Sequence, residues 1–80
     1  MNRYLLYHRH PPRDCAAVFA AWNGFESELR RTDAMSTCAY GGHEIWWWVS
    51  APDQRAARAL LPRFVADMTV AARVAPITVP

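Results

Sequence analysis

Two short segments of the chain carry side chains that could bind a metal. The segment HPPRDC holds His10 and Cys15 with four residues between them, and CAYGGH holds Cys38 and His43 in the reverse order at the same spacing. Thiolates and imidazoles are the ligands that Zn²⁺ prefers, and four of them complete a tetrahedral structural site. Three of them with a water molecule would form a catalytic site. The pattern predicts a zinc site if the fold brings the two segments together.

The histidines also support a second hypothesis, a pocket for a small molecule. His8 and His10 alternate along the chain, so in a strand they would lie on one face. Imidazole titrates near neutral pH and suits proton abstraction, or it could ligate haem. His8, His10 and His43 are then the candidate catalytic residues, and Arg13 or Asn23 would hold a carbonyl or carboxylate group. The candidate walls of the pocket are Tyr4, Tyr40, Trp46, Trp47 and Trp48.

The type of reaction stays open because the chain has no H-E-x-x-H, P-loop or G-x-S-x-G motif. A small-molecule pocket that performs proton transfer or isomerisation without a cofactor is the function we predict, and the zinc site is the alternative. Each residue also has a structural interpretation. Cys15 could be a small core side chain, and the three tryptophans could serve mainly as core. A third hypothesis is therefore a non-catalytic interaction module.

The elements that would position these residues follow from periodicity and from breaker residues. Alternating or continuous apolar runs bounded by Pro or Gly predict strands, and apolar residues at helical spacing predict helices. Pro62 lies inside the second helix and should kink or split it. Prolines 76 and 80 imply an edge position or an early end for the last strand. The predicted strands are 3–10, 35–40, 43–50 and 70–79, and the predicted helices are 12–24 and 50–68, with a tight turn at 41–42.

The resulting order is β-α-β-β-α-β within a single domain, 1–80. This is the ferredoxin-like arrangement, in which two helices cover one face of a four-stranded antiparallel sheet. The end of the first strand, the start of the first helix and the glycine turn should then meet at one end of the sheet. The fold is thus expected to bring His10, Cys15, Cys38 and His43 together.

The opening segment RYLLYHRH, the two helices, the central hairpin and the chain length together resemble small dimeric α+β barrel proteins. These include YCII-related and muconolactone-isomerase-like domains. The resemblance implies a homodimer whose sheets pack face to face, with a pocket between each sheet and its helices or its partner.

The third strand supports a covered second face independently. Ile45, Trp47 and Val49 should point to one side, and Trp46 and Trp48 to the other. A sheet face that is left in water normally carries polar residues. The two-sided pattern therefore predicts a partner on the face opposite the helices, either a second copy of the chain or a different protein.

Composition excludes several classes of protein. The net charge is only +2, and the nine basic residues, all Arg, are scattered, so a nucleic-acid interface is not expected. No apolar run is long enough to span a bilayer, and no signal peptide opens the chain. We therefore expect a cytoplasmic protein without a membrane partner, whose cysteines are not disulfide-bonded. Exclusive use of Arg with 14 Ala suggests a GC-rich, bacterial genome.

Overall fold

A computed structural model describes residues 1–80 and contains one four-stranded antiparallel sheet with three short helices. The strands lie in the spatial order β2-β3-β1-β4. The α+β class and the four-stranded antiparallel sheet predicted from the sequence are confirmed. The strands are β1 (Asn2–Arg9), β2 (Met35–Ser36), β3 (Glu44–Ala51) and β4 (Thr69–Arg73), and the helices are α1 (Cys15–Ala20), α2 (Gln54–Arg58) and α3 (Arg63–Ala66).

The core lies on one face of the sheet. Tyr4, Leu6 and His8 alternate along β1 and are buried, and each pairs with a buried residue of β3 in the antiparallel register. Leu6, opposite Trp47, is completely buried, which stabilises the fold by about 1.5–3 kcal/mol relative to an exposed leucine. The helices pack on this same face through their buried residues Val18, Ala57, Val65 and Ala66, and Leu61 in the connection between α2 and α3 joins them.

The second predicted helix is divided, as expected from Pro62. Asp53 caps the start of α2, because its Oδ1 atom accepts a hydrogen bond of 2.7 Å from the Ala56 amide. The chain is extended at the buried Pro62 (φ −55°, ψ 146°), and α3 starts at the next residue. Proline has no amide hydrogen to continue the preceding helix, so the split is a direct consequence of this residue.

The predicted second strand, 35–40, is wrong beyond Ser36. Residues Cys38–Tyr40 form a 3₁₀ turn that ends at Gly41, which has a left-handed backbone (φ 83°). The carbonyl of Thr37 accepts hydrogen bonds from the amides of Tyr40 and Gly42, both 2.9 Å long. These bonds curl the chain back toward β3, so the connection is a longer loop than the tight glycine turn that was predicted.

The predicted last strand, 70–79, is also too long. Pairing in β4 stops at Arg73, and one further bond joins the amide of Val74 to the carbonyl of Arg3. Pro76 cannot donate to a strand ladder, which explains the early end. β4 lies at an edge of the sheet, as its prolines predicted.

Helix α1 covers less of the sheet than its apolar spacing predicted. Of Cys15, Val18, Phe19 and Trp22, only Val18 is buried, and Phe19 is 53% exposed. The helix has only six residues, so it ends before it can cover the part of the sheet near β2. The predicted buried stripe is therefore only partly buried.

The second face of the sheet, which we call the open face, carries apolar side chains that no helix covers. Val70, Tyr7, Trp46 and Met35 are neighbours in the strand register and form one row across all four strands. Val70 and Met35 are exposed, as is Trp48 in the adjacent row, at 63%. None of the helices has the length and apolar character needed to cross a bilayer.

Candidate metal centre

Three of the four residues predicted to bind zinc meet at one end of the sheet. His10 follows β1, Cys15 begins α1, and His43 immediately precedes β3. One potential ligand atom from each lies within 4.8 Å of the others. The amide of His10 donates to the carbonyl of His43 over 3.1 Å, so the backbone itself joins the two histidines.

Cys38 does not belong to this cluster. It lies in the exposed 3₁₀ turn, on the side of the loop near Ser36 and Ile45, while the cluster contains only Cys15 as a thiol. The prediction placed Cys38 in a strand that would run toward the glycine turn. The loop curls before it reaches that position, and the sulfur is carried away from His43.

The loop before β3 holds His43 in place through close contact between two residues. A Cβ atom on Gly42 would lie 2.0 Å from the Thr37 Oγ1 atom and 2.4 Å from its Cβ, so only glycine fits without movement. Thr37 also accepts a hydrogen bond of 3.1 Å from the Glu44 amide through Oγ1. Together these contacts fix the backbone on both sides of His43.

Behind the cluster, a buried hydrogen-bond chain defines the proton positions on two histidine rings. The Thr69 hydroxyl donates its hydrogen to the Val65 carbonyl over 2.7 Å. Both oxygens can therefore only accept a hydrogen bond from the Nδ1 atom of His8. His8 therefore carries its hydrogen on Nδ1, bonded to Thr69 at 2.9 Å, and its Nε2 atom must accept. The partner of that Nε2 atom is Nδ1 of His10, 2.9 Å away. His10 is thus the donor, and its own Nε2 atom bears a free lone pair.

The free lone pair of His10 has no hydrogen-bond partner, and one ring nitrogen of His43 shares this condition. Both His10 Nε2 and His43 Nδ1 are buried, and neither has a partner in the protein. Burial lowers the pKa of His10, and the neighbouring His43 lowers it further. Burial, followed by the charge of His10, likewise lowers the pKa of His8. Both rings are therefore kept neutral, which is the state in which imidazole binds a metal.

The donor set and its dimensions fit a zinc ion. Zinc bonds of about 2.0–2.3 Å place the atoms of a tetrahedral ligand set roughly 3–4 Å apart. The three ligand atoms, within 4.8 Å of one another, need to move closer by only about 1 Å. Two nitrogens and one sulfur leave a fourth position for water or an exogenous ligand.

An open polar cleft adjoins the two histidines. Besides His10 and His43, it is lined by Arg9, Glu44 and Gly42, together with the two prolines that follow His10. Arg9 and Glu44 are directly opposite each other in the β1–β3 register. The cleft can therefore offer one cation and one carboxylate beside the ligand atoms.

Glu44 is fixed by a tyrosine on the open face. The Tyr7 hydroxyl donates a short hydrogen bond to the Glu44 Oε2 atom. This hydrogen bond is the main cause that raises the pKa of Tyr7, with smaller contributions from burial and the carboxylate charge. The Glu44 carboxylate at the cleft is thus oriented by a tyrosine whose side chain lies on the open face.

The other predicted pocket residues are dispersed. His8 is fully buried and reaches the cleft only through His10. Tyr4 is 5% exposed in the core, whereas Tyr40 is 92% exposed, and Arg13 is exposed on the turn before α1. Trp47 lies in the core, whereas Trp46 and Trp48 lie on the open face. Asn23 is exposed, and none of these residues lines the polar cleft.

Four residues of the site were missed from the sequence. Thr69 and Val65 reach His8 from more than fifty positions away, and no local pattern marks such a contact. Arg9 and Glu44 were not among the candidate residues taken from the sequence. Strand pairing between β1 and β3 brings both residues to the cleft. Pairing the two predicted strands residue by residue would have placed them side by side.

Comparisons of the chain with protein-family models, with curated proteins and with solved structures each returned no match. The similarity to YCII-related and muconolactone-isomerase-like domains therefore stays an interpretation of element order.

Proposed function

We propose that this protein is a zinc-binding domain with His10, Cys15 and His43 as ligands. Two observations carry the proposal: His10, Cys15 and His43 each place a potential ligand atom within 4.8 Å of the others, and His10 Nε2 is buried without a hydrogen-bond partner. A buried polar atom without a partner costs about 1–3 kcal/mol, and a metal bond would remove that cost. A bound ion would also supplement the small core of an 80-residue chain.

The hydrogen-bond chain behind His10 has the arrangement expected around a metal ligand. Histidine ligands usually donate their second ring nitrogen to an acceptor, which fixes the tautomer and orients the ring. Here the acceptor is His8 Nε2, and His8 is in turn held by Thr69 and Val65. Two of the three proposed ligands, His10 and His43, line the polar cleft, so a water bound to the zinc would be the reactive group beside it.

Metal analysis with a matched cysteine pair tests this proposal. We expect about one zinc per chain, retained on dialysis and lost with chelator, together with a fall in thermal stability. Cobalt in place of zinc should give a thiolate-to-metal charge-transfer band. Cys15→Ser should abolish this band and Cys38→Ser should retain it. Protein without stoichiometric metal that also fails to bind cobalt would contradict the proposal.

A second candidate function uses the same cleft without a metal. In a small-molecule-binding domain, His10 Nε2 would act as the base of a proton-transfer enzyme such as an isomerase. The lowered pKa of His10 favours it, because a neutral imidazole with a free lone pair can accept a proton. Metal-free protein whose histidine signals respond to small carbonyl compounds would favour this function over zinc binding.

We also propose that the domain has the ferredoxin-like arrangement and forms a homodimer through its open face. The strand order β2-β3-β1-β4 with all helices packed on one face supports the first part. The apolar row on the open face supports the second. A reducing compartment keeps the Cys15 thiol available as a ligand, so we keep the cytoplasm of a bacterium as the proposed location.

A further inference from the structure

A second cavity lies apart from the metal cluster, on the helical side of the sheet near β2. Ile45 and Trp47 form its floor, and its walls include Phe19, Trp22 and Leu29. The cavity has a volume of about 350 Å³, which suits a small organic molecule. It exists because α1 is too short to cover this corner of the sheet.

Two arginines stand at the rim of this apolar cavity. Arg30 makes a single ion pair, in which its Nη1 atom is 3.8 Å from a Glu26 side chain that is 86% exposed. Arg31 makes none. Such a long pair with an exposed carboxylate contributes little. The Nη1 atom of Arg30 also donates a hydrogen bond of 3.4 Å to the Phe25 carbonyl, so its other guanidinium donors and those of Arg31 are free to bind a ligand. Guanidinium groups match the geometry of a carboxylate with two parallel hydrogen bonds.

The backbone at the rim is strained. Arg31 is the only non-glycine residue with a positive φ angle, 64°. A residue with a side chain is disfavoured in this left-handed conformation, which glycine adopts freely. Strain of this kind concentrates at binding sites, where it places a side chain that the ligand needs.

We propose that this cavity binds a small aromatic carboxylate. Its ring contacts Trp22 and rests on the floor of the cavity, and its carboxylate accepts hydrogen bonds from Arg30 and Arg31. The indole rings of Trp22 and Trp47, whose centroids are 6.1 Å apart, form an aromatic corner that favours a flat apolar ligand. The site does not require zinc, and its occupant is distinct from anything bound in the polar cleft.

Calorimetric titration with naphthoate and with naphthylmethanol, its neutral analogue, tests the proposal. We expect naphthoate to bind at least about 10-fold more tightly, because a charge-assisted hydrogen bond is worth more than a neutral one. Arg30→Gln and Arg31→Gln should each weaken naphthoate binding about 10-fold. The control Arg55→Gln, on the exposed surface of α2, should leave it unchanged.

Two further measurements separate a binding role from a structural one. Arg31→Gly should raise thermal stability, because it removes the strain, and should still weaken naphthoate binding. In amide NMR spectra, naphthoate should shift the indole N–H signals of Trp22 and Trp47 and leave that of Trp48 unchanged. Equal affinity for the acid and the alcohol, full affinity in both Gln variants, shifts at Trp48 instead, or no binding up to millimolar ligand would each overturn the proposal.

Discussion

His10 is constrained on both sides of its ring. Its Nδ1 atom is bonded to His8, and its Nε2 atom is left unpartnered on a residue that clusters with Cys15 and His43. The ring is 2% exposed, so water does not compete for the lone pair of Nε2. At the scale of single residues, the fold therefore holds His10 in the neutral form that the proposed zinc site needs, and His8 is the residue that determines its tautomer.

Removing the His8 ring should weaken zinc binding without removing a ligand. His8→Leu deletes the acceptor for His10 Nδ1, so we expect zinc affinity to fall about 10–100-fold. Thr69→Val should lower zinc affinity by less, because the Val65 carbonyl still accepts a hydrogen bond from His8. Competition against a chromophoric chelator measures both affinities. Unchanged affinity in a folded His8→Leu variant would exclude a positioning role for His8.

Tyr7 makes the free energy of unfolding depend on pH in the alkaline range. Its pKa is raised above the ordinary value of 10.0, mainly by the hydrogen bond to Glu44. The folded state thus holds this proton more tightly than the unfolded state does. The associated stability is complete below about pH 10 and is lost as pH rises through the folded pKa.

Glu44→Gln should therefore lower the pKa of Tyr7 toward its ordinary value, because it removes the charged acceptor. The exposed control Glu28→Gln should not change it. Ring-carbon NMR signals of labelled tyrosine follow the titration residue by residue. A Tyr7 titration that is the same in Glu44→Gln as in the parent protein would show that the hydrogen bond does not control this pKa.

At the scale of elements, the loop from Thr37 to His43 determines which thiol reaches the histidines. The 3₁₀ turn carries Cys38 outward, and the close contact of Gly42 with Thr37 brings His43 inward. On the other side, the 3₁₀ turn Pro12–Asp14 places Cys15 at the start of α1. The ligand set is consequently a property of two turns rather than of the strands they join.

Gly42→Ala should alter the ligand geometry of the proposed metal centre to a degree that its loss in free energy of unfolding does not explain. The added Cβ would overlap the Thr37 side chain, so the loop must shift, at a cost of about 1–3 kcal/mol. Asp53→Ala is a matched control, because it removes the α2 cap at the opposite end of β3 and costs about 1 kcal/mol. Chemical denaturation measures both losses, and the cobalt spectrum should change only in Gly42→Ala. Identical cobalt spectra for the two variants would contradict this role of the loop.

At the scale of the whole molecule, helices cover one face of the sheet and leave the other face uncovered. The helices bury Leu6, Trp47 and their neighbours on one face, and the open face keeps its apolar row uncovered within the single chain. A row that includes a tryptophan, a tyrosine, a valine and a methionine is large for a surface in contact with water. Pairing with a second copy would cover it on both chains at once.

Trp48→Glu should convert a dimer to a monomer. Light scattering with size-exclusion chromatography should show a dimeric parent protein and a monomeric variant with the same circular dichroism. Phe64→Glu, on the helical side and 43% exposed, is the control that should stay dimeric. A parent protein that is monomeric at all concentrations would refute the homodimer.

The sequence by itself determined the order of the main elements and the direction of the side chains in β3. Strict alternation around Trp47 defined two faces of β3, Pro62 defined the break between α2 and α3, and Pro76 limited β4. These features are local, because they depend on the two-residue period of a strand and on the missing amide hydrogen of proline. The meeting of His10, Cys15 and His43 also followed from element order.

Only the tertiary structure decided the composition of the site. The exclusion of Cys38 depends on the curl of one loop, and the tautomer of His10 depends on Thr69 and Val65, more than fifty residues away from His8. The arginine-rimmed cavity depends on where α1 stops relative to β3. Such features arise from contacts between segments distant in the chain, and no local periodicity encodes them.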